Sequence, residues 1–292
     1  CYKGNNILTD ISINVRPGEM IAVVGPSGCG KSTMLTMLAG ILEYSSGDIY
    51  FDGTRVSSIT DFSKISTYIP QDDILFRELT VTESIESSLR LKIKTNEKEY
   101  NERLNSAIDV LGLERTRTLK IGNEGEKGIS GGQRKRVNIG TTIVADMKPI
   151  LLFDEPTSGL DPATDLEIMQ LLRELSRKGH IVLCVTHNLS DESMGYFDKL
   201  MVLGENGKTQ FFGKKQRAQY FFSIKSTQIL FQKMKDAVHI DFHEKFYNSF
   251  EFNEMKSKVD NTKTLIDNAV DKTDIDGVDS IRTPSFGSSA FQ

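Results

Sequence analysis

Apolar and polar positions alternate over Ile11–Val15, the pattern of a half-buried strand. Pro17-Gly18 turns the chain, and Met20–Val24 is then apolar without interruption, as a strand covered on both faces is. At Lys31–Ile41 the period changes, with Met34, Leu35, Leu38 and Ile41 at helical spacing. Asp48–Phe51 and Ser66–Ile69 read as further strands. Thr80-Val81-Thr82-Glu83 has the spacing of a capping box and predicts a helix through Ile93, then another from about Lys98 to Leu111. From residue 129 the pattern becomes loop, helix, strand, helix, strand. Ile150–Phe153 and Ile181–Val185 are apolar on all sides, which predicts central strands of a parallel sheet. Pro162 suits the first turn of a helix over Ala163–Arg177, which Gly179 ends.

After Ser223 the composition changes. Residues 224–259 keep helical spacing, with Phe242, Phe246 and Phe250 on one face, and are expected to pack against the preceding chain, docking on a membrane domain being the other reading. Residues 260–280 hold six Asp against two Lys, which accounts for the whole formal charge of −4. This acidic end, 260–292, reads as a flexible polar linker. The remainder is near neutral and carries no basic stripe, so no nucleic-acid partner is expected. A chain of 292 residues can build one large or two small domains. Cys1, Cys29 and Cys184 make no disulfide framework, which suits an intracellular chain. No apolar run approaches the roughly 20 residues that span a bilayer, and no signal peptide is evident. A start at Cys1 rather than Met points to a soluble piece of something longer.

The chemistry begins at Gly25-Pro26-Ser27-Gly28-Cys29-Gly30-Lys31-Ser32, which fits G-x-x-x-x-G-K-[ST] between a predicted strand and a predicted helix. Glycines let successive N–H groups curl around phosphate oxygens, and the helix that follows presents its positive end. Lys31 then neutralises β/γ-phosphate charge, Ser32 is a Mg²⁺ ligand, and Thr33 completes the nucleotide-binding run. Ile150-Leu151-Leu152-Phe153-Asp154-Glu155 delivers two carboxylates at a strand end. Asp154 is suited to hold Mg²⁺ and Glu155 to polarise the attacking water. Ile129-Ser130-Gly131-Gly132-Gln133 offers N–H groups at another helix start, a second phosphate cradle, although Ser-Gly-Gly also opens ordinary exposed helices. One site needs one cradle, so a second implies a head-to-tail pair of chains sharing each nucleotide.

The segment Ile129–Gln133, followed by Arg134-Lys135-Arg136, resembles the signature of ABC-type ATPases. The resemblance covers about residues 2–222. It implies a glutamine loop at Gln71 that contacts Mg²⁺, a D-loop at Ser158-Gly159-Leu160-Asp161, a switch histidine at His187, and an adenine-stacking aromatic at Tyr2. Within the family the chain is most similar to the G subfamily, through Gln71–Leu75, Leu79–Glu83, Gly128–Arg136 and Phe211-Phe212-Gly213. It departs from that group where Pro162 follows Asp161 and where Asn188-Leu189 follow His187. Glu124 and Glu126 stand where the family senses its membrane partner, though acids on a surface need no such role.

The resemblance implies an α/β fold: a P-loop, RecA-like parallel-sheet core, an antiparallel β edge subdomain and a helical subdomain near residues 74–145. The expected division is a cassette over 1–223, a helical extension over 224–259 and a linker over 260–292. The implied function is binding and hydrolysis of Mg-ATP at the cytoplasmic face of a membrane. The implied partners are a second cassette and a transmembrane domain C-terminal in the same parent chain. A soluble ABC-type ATPase in translation, repair or cofactor assembly is the alternative. Tandem cassettes would show two phosphate loops, and a repair ATPase a long heptad insertion between residues 34 and 129. A phosphotransferase or switch GTPase has no use for a second cradle. Arg134–Arg136 reads as a solvated helix face, with a partner's acids as the other reading. Cys29 reads as a small residue that fits its loop, with a redox or alkylation switch as the sharper alternative.

Overall fold

A computed structural model describes residues 7–56, 58–92, 95–122, 128–145, 147–205, 207–237 and 240–270, with the side chains of the last helix described to residue 260. Strand β1 (Met20–Val24) leads through the glycine loop into α1 (Lys31–Leu38). A hairpin of β2 (Tyr50–Phe51) and β3 (Thr54–Arg55), then α2 (Ile59–Ile65), precede β4 (Ser66–Ile69). Three helices follow: α3 (Val81–Lys92), α4 (Glu97–Val110) and α5 (Gly131–Ala145). The chain then alternates through β5 (Ile150–Asp154), α6 (Pro162–Arg177), β6 (Ile181–Val185), α7 (Asp191–Met194) and β7 (Lys199–Leu203). It closes with β8 (Thr209–Lys214), α8 (Lys215–Phe222), α9 (Leu230–Asp236), α10 (Phe242–Tyr247) and α11 (Phe250–Val270).

The main sheet runs β4-β5-β6-β1-β7-β8, parallel throughout except where β8 returns antiparallel beside β7. The uninterrupted apolar runs occupy its centre, and every residue of β1 and β6 is buried. Helices cover both faces, which is why those strands show no polar alternation. Because β4, β5, β6 and β1 are parallel neighbours, the loops after Ile69, Asp154, Val185 and Val24 all emerge at one edge. That edge is where open α/β sheets bind ligands. Tyr100, Leu104 and Ile108 of α4 and Ile85 and Leu89 of α3 belong to the same buried cluster as the sheet. Glu83 and Thr80 form the capping box reciprocally, with Glu83 N donating to Thr80 Oγ1 and Thr80 N to Glu83 Oε2.

Three expectations need correction. Ile11–Val15 does not form a strand: Ile11, Ile13 and Val15 pack against the core, but the Asn14 carbonyl is taken by Lys199 Nζ at 2.9 Å instead of a ladder partner. Phe250 leaves the stripe of Phe242 and Phe246 and lies 64% exposed. The helix breaks after Tyr247, and Ser249 restarts it as a hydroxyl cap on Phe252 N, so Phe252 turns inward in its place. The last helix also continues to Val270, past the boundary expected at 259, because no Gly or Pro interrupts residues 250–276 and acidic composition alone does not stop a helix. Among the described residues no helix is long and apolar enough to cross a membrane.

Candidate active site

The phosphate loop leaves the buried end of β1 and enters α1 at Gly30. Gly28 and Gly30 hold φ of +79° and +101°, which side chains rarely adopt. A Cβ at Gly30 would also meet Leu8 Cδ2 at 2.8 Å, and one at Gly25 would meet Cys29 Sγ at 2.6 Å. Gly30 stands at the N-cap without a side-chain cap, so the first N–H groups of α1 are left for another acceptor. Ser27, Gly28 and Ser32 are exposed, with Pro26 and Thr33 half-buried beside them. Lys31 is buried and closes on its own loop, donating to Gly25 O at 3.0 Å and Pro26 O at 2.9 Å. Cys29 points inward, and burial pushes its thiol pKa up.

At the end of β5 the two carboxylates differ sharply. Asp154 is 4% exposed; its Oδ2 accepts the Tyr68 hydroxyl at 3.0 Å, while its Oδ1 is buried with no hydrogen-bond partner among the described residues. Burial, and then the Asp154 charge, hold the Tyr68 hydroxyl well above its usual pKa, so it stays a donor. An orphaned buried carboxylate oxygen is costly in isolation and cheap beside a cation. By their chemistry this carboxylate, the Ser32 hydroxyl and the Gln71 amide oxygen are hard donors of the kind Mg²⁺ takes. Among the described residues no cluster of three His, Cys, Asp or Glu could hold a metal alone. Donors of this kind fit an ion that completes its shell with water and substrate phosphates.

Glu155 adopts φ of +49°, a left-handed conformation for a non-glycine residue, and its N–H donates to Val185 O at 3.1 Å. The bend turns its side chain toward the neighbouring loops. His187 Nε2 donates to Glu155 Oε1 at 2.8 Å, and Gln71 Nε2 donates to Glu155 Oε2 at 3.2 Å and to Ser158 Oγ at 3.4 Å. Loops after β4, β5 and β6 thus meet on one carboxylate. Such a carboxylate, reached by an imidazole and still 19% exposed, can take a proton from water.

The second cradle is held differently. Ser130 and Gln133 form a capping box, Ser130 N donating to Gln133 Oε1 at 2.9 Å and Gln133 N to Ser130 Oγ at 3.3 Å. Gly132 packs against α6, where a Cβ would come within 2.3 Å of Thr164 Cγ2, whereas Gly131 stays exposed. Asp161 caps α6, accepting Ala163 N at 3.0 Å and Thr164 N at 3.1 Å. The Thr164 hydroxyl above all, with these N–H groups, holds its carboxyl below the usual range. Among the described residues no hydrogen bond links Ser130–Gln133 to the phosphate loop. Tyr2, Glu124 and Glu126 lie outside the described residues.

Two residues of the site escaped the sequence. Tyr68 alternates outward from β4 and has no motif of its own. Lys135, placed on a solvated face by the sequence, is buried; it donates to Gln71 O at 2.5 Å and pairs with Asp73 at 3.0 Å. Arg136 likewise ties Leu111 O and Glu167, so Lys135 and Arg136 brace α5 against its neighbours.

A family model described as "ABC transporter" matches residues 8–158. A second, described as "AAA domain, putative AbiEii toxin, Type IV TA system", matches residues 130–190, the stretch from Ser130 to just past His187. ABC transporter G family member 22 of Arabidopsis thaliana is 42% identical over 221 residues, covering 74% of this chain and 29% of its own length. G family member 18 of the same plant is 40% identical over 74% of this chain and 31% of its own length. ABC-type transporter claG of Penicillium crustosum is 38% identical over 71% of this chain and 28% of its own length. The chain therefore spans about three-tenths of the length of these curated relatives.

Proposed function

Since the chain belongs to the ABC transporter family and is of the ATPase class, we propose that it is the cassette which binds Mg-ATP and hydrolyses it to drive a membrane transporter. The convergence of Gln71 and His187 on Glu155, with Gln71 also donating to Ser158, at the sheet edge where the phosphate loop also ends, carries this reading. The first N–H groups of α1 and the Lys31 ammonium bind the β- and γ-phosphates, Lys31 exchanging its two loop carbonyls for phosphate oxygens. Ser32, Asp154 and Gln71 would hold Mg²⁺, which supplies charge neutralisation and orientation of the phosphates. Glu155 accepts the proton of the attacking water, and His187 fixes the carboxylate and meets the γ-phosphate. Tyr2 is assigned to stack on adenine.

Ser130, with the exposed start of α5, reads the γ-phosphate held by a second, head-to-tail cassette, and the D-loop residues Ser158 and Asp161 lie at that junction. Residues 1–223 are assigned to the cassette, with 74–145 as its helical part; the helices beyond form an extension, and the chain past them leads toward a transmembrane domain. Transport as the task rests on the relatives' names.

Glu155→Gln tests the chemistry. It keeps the shape and loses the basic charge, so ATP binds while turnover falls by about 10²–10⁴-fold. Gel filtration should then show an ATP-dependent dimer that hydrolysis no longer opens. Wild-type turnover in Glu155→Gln excludes the assignment.

A further inference from the structure

His187 reaches Glu155 from an exposed loop, its side chain 48% exposed, and among the described residues its hydrogen bonds lead to Glu155 alone. That bond alone leaves the imidazole's position to the backbone that carries it. The residues on either side of it are fixed. Thr186 is buried and donates its N–H to Val23 O at 3.2 Å, which ties the upstream side to β1. Asn188 N donates to Thr186 Oγ1 at 3.0 Å, closing the chain around the histidine. On the downstream side, Asn188 Nδ2 donates to Asp165 Oδ2 at 2.9 Å. Asp165 is 4% exposed and lies in the first turn of α6, four residues after the cap Asp161. The same Oδ2 accepts the Ser193 hydroxyl at 2.6 Å, and Asn188 Nδ2 also reaches Ser193 Oγ at 3.0 Å. A buried carboxylate with donors on it makes charge-assisted bonds, roughly twice as strong as neutral ones, so this is the firmest anchor the loop has.

We infer that Asp165, acting through Asn188, is a positioning residue for His187 and sets the distance between the imidazole and Glu155. Pro162 fixes the first turn of α6, on which Asp165 stands, and Asn188 is the side chain that Asp165 holds. Thr164, beside Asp165, packs on Gly132 of α5, so a single helical turn touches both the second cradle and the switch loop. This inference rests on the proposed role of His187 in ATP hydrolysis, and the experiment separates the two.

Steady-state ATPase kinetics are measured for Asn188→Ala, His187→Ala and the double variant. A displaced histidine should lower kcat by roughly tenfold in Asn188→Ala and leave KM for ATP within about twofold. In the His187→Ala background Asn188→Ala should cost nothing more, because the group it positions is gone; a purely structural residue would keep its full cost. Asp165→Asn, which keeps the volume of a buried side chain, should lower kcat alone. Combining it with Asn188→Asp restores a carboxylate–amide pair with its ends exchanged and should recover kcat. Unchanged kcat in Asn188→Ala beside a crippled His187→Ala, or full additivity in the double variant, overturns the inference alone. Full turnover in His187→Ala overturns the histidine's role and the inference with it.

Discussion

Two regions of this molecule treat their polar groups in opposite ways. At the carboxyl edge of β4, β5, β6 and β1, groups are left in readiness. Among the described residues Asp154 Oδ1 is buried without a partner, the start of α1 has no side-chain cap, and Glu155 holds a left-handed φ. Around β8 and α10 the chain instead closes on itself. Phe246 is fully buried, with ring centroids 5.5 Å from Phe252 and 5.9 Å from Phe211. His243 Nδ1 takes Thr209 O at 2.8 Å, and Asp241 caps α10 through His243 N and Glu244 N. The first arrangement is costly without a ligand and gains from one; the second is closed by ring packing and a helix cap, although Thr209 Oγ1 stays buried without a partner among the described residues. The comparison separates what the fold spends on function from what it spends on standing up.

The largest effect should fall on the closed region. Phe246→Ala removes a buried aromatic side chain from a packed cluster and should destabilise the chain by about 3–5 kcal/mol. The denaturation midpoint in urea checks this. The ATP affinity of the folded protein should be unchanged, since the rings packed on Phe246 come from β8 and the helices after it: Phe211, Phe221 and Phe252. A dissociation constant for ATP that rose in step with the lost stability would erase the distinction between the two regions.

Lys31→Ala is the converse. Among the described residues the ammonium bonds two carbonyls of its own loop, so the thermal midpoint should move far less than in Phe246→Ala. Losing a charged hydrogen-bonding group on the phosphates should weaken ATP binding by roughly ten- to a hundredfold. Calorimetric titration with Mg-ATP provides the number. Undiminished affinity would mean that the cation stays on Gly25 and Pro26 when nucleotide is bound.

What could be read in the sequence follows from how local the determining contacts are. The phosphate loop, Asp154, Glu155 and the strands that deliver them are set by short runs, where periodicity and spacing suffice. Gln71 and His187 needed resemblance, because a lone glutamine or histidine after a strand carries no pattern. The braces were invisible: Tyr68 meets Asp154 across 86 residues, Lys135 meets Gln71 across 64, and both rest on tertiary packing. The same limit explains the miss at Ile11–Val15, where alternation correctly placed apolar residues inward and could not supply a neighbouring strand. Phe250 failed for a smaller reason: Ser249 restarts the helix and shifts the face.

Cys29 tests the boundary between the two regions with the smallest expected effect, a rate. It belongs to the phosphate loop by sequence and to the core by geometry, since its side chain is 2% exposed. A Cβ on Gly25 would lie 2.6 Å from its sulfur, so the thiol occupies the space behind the loop, away from the side a phosphate enters. Burial raises its pKa above the usual 9.0, partly offset by the charge of Lys31, so at neutral pH the reactive thiolate is scarce. Alkylation by a maleimide should therefore be slow at pH 7 and rise as pH climbs toward and past 9, in the direction that deprotonates the thiol. Once attached, the bulky adduct cannot fit behind the loop and must deform it, so modified protein should lose ATP binding. Mg-ATP should slow the labelling further by holding the loop shut over the sulfur. Mass spectrometry of time-resolved labelling, with and without Mg-ATP, reads both effects. Fast labelling at pH 7 that nucleotide leaves untouched would show the loop opening on its own, and would move Cys29 from the closed region into the one that waits.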